Sequence, residues 1–150
     1  MRRTVVKLAL VSVAMMVGVL PSFGSHMAVV VDKGNPTSDV SSSDLTKLLQ
    51  NNTKSWPTGK KVVVVLRDLP SADTELALRR LLNLSSSEVK DFMTAHKGSI
   101  VTANSDESLL KIVETTPGAV GLVDVYSITN RVNVLRVDGK LPLEQGYPLH

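Results

Sequence analysis

KVVVVLRDLPSADTELALRRLL, residues 61–82, is the stretch that decides the fold. Its first part, residues 62–66, is a continuous apolar run without alternation, which is typical of a strand buried on both faces of a sheet. Its last part, residues 75–82, combines apolar residues at helical spacing with good helix formers. A buried strand followed by an amphipathic helix predicts an α/β fold with this strand inside the sheet.

The turn between that strand and that helix has the chemistry of an anion site. The strand ends at Arg67, and Ser71 and Thr74 supply hydroxyl groups where the helix begins. A guanidinium, free backbone N–H groups and the positive end of a helix dipole all favour a bound anion. A plainer interpretation of the same residues comes first: the hydroxyls are ordinary helix caps, and the carboxylates of Asp73 and Glu75 already complement the dipole.

Residues 1–24 have the pattern of a secretory signal peptide. Arg2, Arg3 and Lys7 precede the apolar run 8–20, and small or turn-forming residues follow it. The run is too short to span a membrane. We therefore expect cleavage near Gly24, a domain over residues 25–150 without membrane insertion, and a location in the periplasm or outside the cell.

Charge and composition exclude several classes of function. The chain has 17 Lys and Arg against 14 Asp and Glu, but three of the basic residues and none of the acidic ones lie in residues 1–24. Residues 25–150 are therefore neutral, with few aromatic side chains, which excludes a nucleic-acid-binding protein. Because cysteine is absent and the three histidines are scattered, we expect no thiolate nucleophile, metal centre or cofactor.

The rest of the chain predicts further helices and strands around the first. Three helices are expected over residues 44–50, over 85–96 and between Ser105 and Thr116, each preceded by a serine cap. Strands are expected over residues 28–32, 119–124 and 131–137, and a loop over 97–104. Gly121 inside a strand implies the close approach of another backbone or of a ligand.

Four other side chains have both a functional and a structural interpretation. Trp56 beside a Pro-Gly turn is interpreted as a packing anchor, and His96 at a helix end as structural. Asp106 and Glu107 look like paired carboxylates for acid–base chemistry. In a first helical turn we interpret them as dipole partners, because no nucleophile or catalytic His lies nearby. The chain is not expected to be an enzyme.

Several segments occur in a recognisable order. They are AVVV at 28–31, LTKLL at 45–49, WPTG at 56–59, the strand ending in Arg67, PGAVG at 117–121 and VDGK at 137–140. Together they resemble the substrate-binding protein of the phosphate ABC transporter, in the type 2 periplasmic-binding-protein superfamily, over residues 28–149. The resemblance implies one lobe of that fold, with a central mixed sheet of about five strands flanked by helices.

The resemblance also implies a ligand and the residues that hold it. Arg67 would be the guanidinium, and Ser71, Ala72 and Thr74 would lie in the Ser-Gly-Thr turn of the family. Ala72 replaces the glycine of that turn, and Asp73 stands where the family has a neutral residue. The implied function is binding of phosphate or a similar oxyanion for ABC-type uptake, with a membrane permease or a second lobe as partner. The alternative is a non-transport periplasmic interaction module that kept the fold and lost ligand binding.

Overall fold

A computed structural model describes residues 26–69 and 71–149. The predicted signal peptide, residues 1–24, lies outside the described residues. In chain order the elements are β1 (Met27–Asp32), β2 (Asp39–Val40), α1 (Ser42–Leu49), β3 (Val63–Arg67), α2 (Ala72–Leu82), α3 (Ser86–Ala95), β4 (Ile100–Ala103), α4 (Asp106–Thr115), β5 (Ala119–Asp124), a 3-10 helix (Val125–Ser127), β6 (Val132–Val134) and β7 (Arg136–Val137).

Five of the strands form one mixed sheet in the order β4-β3-β5-β1-β6. β3 is parallel to both β4 and β5, whereas β1 is antiparallel to β5 and β6. The strand that contains the long apolar run therefore lies inside the sheet, as predicted, and its residues Val64, Val65 and Leu66 are buried. This arrangement confirms the predicted α/β fold with about five strands and flanking helices.

The two faces of the sheet bury different side chains. Val64 and Leu66 pack into a cluster that includes Leu45 of α1, Leu78 of α2 and Val89 of α3. Val65, between them, packs into a second cluster with Leu109 and Val113 of α4. Because successive strand residues point to opposite faces, an unbroken apolar run is what a strand covered by helices on both sides requires.

α4 lies very close to the sheet at Gly121 of β5. A Cβ atom at this position would come within 2.9 Å of Leu109 Cδ2 and 3.2 Å of the Val65 carbonyl oxygen. The expected close approach at Gly121 is therefore confirmed, and the neighbours are the side chains of α4 and the backbone of β3.

Two strand assignments from the sequence were wrong. Residues 97–104 are not all loop, because Ile100–Ala103 forms the edge strand β4. Residues 131–137 form two strands, β6 in the large sheet and β7 paired in parallel with β2. Between them, the backbone N–H of Leu135 still donates to the Val29 carbonyl oxygen at 2.9 Å.

The two aromatic side chains assigned to structural roles have such roles. Trp56 is 4% exposed, and its Nε1–H donates to the Gly118 carbonyl oxygen at 2.8 Å, so it anchors its turn as predicted. His96 Nδ1 lies 2.9 Å from the Phe92 carbonyl oxygen, and the two rings are in contact. Within the described residues, no helix has the length and apolar character needed to cross a membrane.

Candidate functional site

The carboxyl ends of β3, β4 and β5 meet at one edge of the sheet, because the three strands are parallel. The connections that follow them converge there: the turn into α2 after β3, the turn into α4 after β4, and the 3-10 helix after β5. In open α/β sheets ligands bind outside the carboxyl ends of the strands. This carboxyl edge is the candidate site.

Arg67, the last residue of β3, is held firmly at the carboxyl edge. Its Nη1 lies 2.6 Å from Asp106 Oδ1, and its Nη2 donates to the Asn104 carbonyl oxygen at 3.4 Å. The side chains of Arg67 and Asp106 are only 23% and 24% exposed. Nε of Arg67 is buried and has no hydrogen-bond partner among the described residues. The guanidinium is thus fixed by two of its nitrogens, with the third unused.

Asp106 connects three segments of the chain. Besides its ion pair with Arg67, it accepts a hydrogen bond from Ser127 Oγ at 2.8 Å through Oδ2. It lies in the first turn of α4, as expected for a dipole partner. Sequence reasoning missed both contacts, because its partners lie 39 and 21 residues away and no local pattern links them.

The turn into α2 is arranged as a helix cap. Ser71 is the N-cap, and its Oγ accepts a hydrogen bond from the Thr74 backbone N–H at 3.4 Å. Ala72 is exposed, and Asp73 is half-buried in the first helical turn. Arg67 and Ser71 thus lie at the two ends of one short connection, as the sequence predicted.

Thr74 faces the interior. Its side chain is fully buried, and its Oγ1 has no hydrogen-bond partner among the described residues. In this conformation the hydroxyl is closed to solvent. Ligand contact by the Thr74 hydroxyl stays a prediction, and it would require the turn to move.

Acidic residues are frequent in the connections at the carboxyl edge. Asp68 follows Arg67 directly, Asp73 lies in the first turn of α2, and Asp106 and Glu107 lie in the first turn of α4. Asp106 also neutralises Arg67 at close range. Since like charges repel with about 1 kcal/mol at 4 Å even in water, these carboxylates lower the affinity of the carboxyl edge for a multiply charged anion.

A groove of about 750 Å³ continues from this edge along α4. Asp106 and Ser127 form one end, and Arg131 lies in its wall, with Nη1 3.4 Å from Glu114 Oε1. Every lining residue except Leu110 is polar or charged, so the groove offers hydrogen-bonding groups along its length. No group of three His, Cys, Asp or Glu that could hold a metal ion occurs in the described part of the chain.

No protein-family model and no curated protein sequence matches this chain. Solved structures do match its fold. An ABC-type phosphate transport receptor from Vibrio cholerae matches with a TM-score of 0.70 and 17% identity, over 82% of this chain and 52% of that one. PstS from Borrelia burgdorferi matches with a TM-score of 0.65 and 16% identity, over 82% and 53% of the two chains. A phosphate-binding protein from Stenotrophomonas maltophilia matches with a TM-score of 0.65 and 18% identity, over 79% and 40%.

These matches confirm the predicted fold. The chain shares its α/β fold with these three structures, and it spans about half their length, or less. At 16 to 18% sequence identity, the similarity between this chain and these structures shows a shared fold and nothing further.

Proposed function

We propose that this chain is an exported binding lobe that holds a small oxyanion, phosphate first among them, at the carboxyl edge of β3 and β4. The observation that carries the proposal is the guanidinium of Arg67, which is fixed beside the turn into α2 and whose buried Nε has no hydrogen-bond partner among the described residues. A buried donor without an acceptor is costly, and an oxyanion that reaches Nε when the turn into α2 moves supplies the missing acceptor. The phosphate-binding proteins that share this fold support the choice of ligand.

The roles of the proposed site residues follow from their positions. Arg67 supplies a charge-assisted hydrogen bond through Nε once the turn into α2 moves and uncovers this atom, while its Nη1 stays with Asp106. Ser71 offers its hydroxyl, since its backbone N–H already donates to the Asp68 carbonyl oxygen at 3.1 Å. Ala72 offers a backbone N–H in the first turn of α2, where the helix dipole favours negative charge. Thr74 joins them only if the turn opens.

The wider proposal concerns export and partners. A leader over residues 1–24 directs the chain to the periplasm or the exterior, and the remaining domain works with a second lobe or a membrane permease in uptake. A single lobe covers one side of an ion, so a partner that covers the other side would raise the affinity by removing water.

Calorimetric titration with phosphate, sulfate and acetate tests the proposal. We expect heat with phosphate, and we expect Arg67→Ala to weaken binding by about 1.5 to 3 kcal/mol, the range for hydrogen bonds to charged groups. Arg131→Ala is the matched control, because Arg131 also pairs with a carboxylate but is 70% exposed. Equal affinities in the two variants would remove Arg67 from the site.

A second candidate is an interaction module without a ligand. The ion pair between Arg67 and Asp106 favours it, because the guanidinium of Arg67 is already neutralised. This candidate predicts that a folded protein gives no heat with any of the three anions.

A further inference from the structure

A second cleft, of about 420 Å³, lies away from the carboxyl edge. It is formed by β2, α1 and the turn that contains Trp56. The Trp56 indole N–H donates a hydrogen bond to the carbonyl oxygen of Gly118, the residue before β5. It shares no lining residue with the groove along α4. Its wall combines apolar side chains with two carboxylates, namely Val40, Leu48, Trp56, Pro57, Asp39 and Asp44.

The charged residues that line this cleft are all negative. Asp39 and Asp44 line it together with hydroxyl-bearing and apolar residues, and its lining contains no Lys, Arg or His. Neither carboxylate forms an ion pair within the described part of the chain. Asp39 Oδ1 accepts a hydrogen bond from the Gly139 backbone N–H at 3.1 Å, and no donor among the described residues contacts its other oxygen.

We propose that this cleft binds an organic monocation, a primary ammonium group on an unbranched alkyl stem. Its volume falls in the range of about 300 to 1,000 Å³ that small-molecule sites occupy. The apolar wall of Val40, Leu48 and Trp56 accommodates the stem, and the carboxylates of Asp39 and Asp44 hold the charged head. The two carboxylates repel anions, and a neutral ligand gains no electrostatic attraction from them.

Binding can be followed through Trp56, which lines the cleft and is the single tryptophan of the sequence. The probe is n-pentylammonium chloride, added to the isotope-labelled protein while the NMR signal of the Trp56 indole N–H is followed. Sodium chloride at equal concentration controls for ionic strength, and 1-pentanol offers a stem of the same length without charge. We expect the indole signal to move and saturate with pentylammonium, and to respond about ten-fold more weakly to pentanol, as loss of a charge-assisted contact predicts.

Two charge variants test the carboxylates. Asp39→Asn keeps an oxygen for the Gly139 N–H, and Asp44→Asn leaves the Ser41 cap of α1 in place. Each should weaken pentylammonium binding about two- to five-fold, the effect of removing one exposed ion pair. Asp91→Asn, on the distant helix α3, removes the same charge and should leave binding unchanged.

The outcomes separate clearly. An indole signal that does not respond to pentylammonium, an equal response to pentanol, or unchanged affinity in both carboxylate variants overturns the proposal. Nα-acetyl-lysinamide, which presents the same ammonium stem on a peptide unit, distinguishes the sources of the ligand. If it binds as well as pentylammonium, the cleft accepts a lysine side chain, and if it is excluded, the cleft takes free amines.

Discussion

Asp106 governs how strongly Arg67 can attract an anion. A carboxylate 2.6 Å from Nη1 cancels most of the field of the guanidinium. It also orients the group, since Ser127 holds the other carboxylate oxygen and the Asn104 carbonyl receives Nη2. The same residue therefore preorganises the site and lowers its charge.

Replacing Asp106 by asparagine should separate these two effects. The amide keeps hydrogen-bonding atoms for Arg67 and Ser127 but removes the negative charge, so we expect phosphate to bind more tightly by about 1 kcal/mol. Calorimetry measures the change. Glu107→Gln removes a charge from the next residue without breaking the Arg67 ion pair, so the excess gain in Asp106→Asn over Glu107→Gln measures the effect of the pair itself. Unchanged affinity in Asp106→Asn would mean that the ion pair does not limit binding.

Asp73 is predicted to repel the ligand directly. It lies in the first turn of α2, where the backbone amides would approach an oxyanion. Asp73→Gly should raise phosphate affinity, because it removes a charge and lets the backbone come closer, at a cost of about 0.5 to 1 kcal/mol in unfolding free energy. Asp73→Ala removes the charge alone and divides the two contributions. If titration shows equal or lower affinity for both variants in a folded protein, Asp73 either contacts the ligand or lies outside the site.

The site was only partly predictable at the scale of single residues. The sequence could place Arg67 and Ser71 close together, because they lie at the two ends of one short connection between a strand and a helix. The roles of Asp106 and Ser127 could not, because they depend on strands β3, β4 and β5 lying side by side. The burial of Thr74 was also hidden, since the sequence marks it as a polar residue in a turn.

At the scale of elements, the apolar patterns predicted the helices and the inner strands well. α1, α2, α3 and α4 begin within a residue or two of the serine caps read from the sequence, and the capping box of Ser85 and Glu88 is present. β4 escaped prediction because only its first and last residues, Ile100 and Ala103, are buried. An edge strand of four residues leaves too short a pattern to recognise.

The packing of α4 against β5 depends on the missing side chain of Gly121. Gly121→Ala should reduce the unfolding free energy by about 1 to 3 kcal/mol, because the new methyl group would collide with Leu109 and with the Val65 carbonyl oxygen. Urea denaturation measures the loss. Gly98→Ala is the control, since nothing lies within 4 Å of its Cβ position. Equal stability of the two variants would show that α4 shifts freely on the sheet.

At the scale of the whole molecule, a contact distant in sequence joins α1 to the turn after β7. The carboxylate of Asp138 accepts hydrogen bonds from the Ser42 hydroxyl and, at 2.8 Å, from the Ser42 backbone N–H. These bonds, the hydroxyl first, lower the pKa of Asp138 below its usual value of 3.8. Bonds from Ser85 lower the pKa of Glu88 in the same way, but within one helix.

The sign of the pH dependence follows from the lowered pKa of Asp138. A carboxyl group with a lower pKa in the folded state than in the unfolded state stabilises the fold above its unfolded pKa, and this contribution disappears as the pH falls through the folded pKa. We therefore expect Asp138→Asn to be less stable than the wild type at about pH 7, with the difference shrinking toward about pH 3. Urea denaturation at several pH values measures it. Asp91→Asn, whose carboxylate accepts no hydrogen bond from the described residues, is the control for removal of a surface charge. A pH-independent deficit in Asp138→Asn would mean that the carboxylate charge contributes nothing to holding α1 against the turn after β7, and that only the geometry of the contact matters.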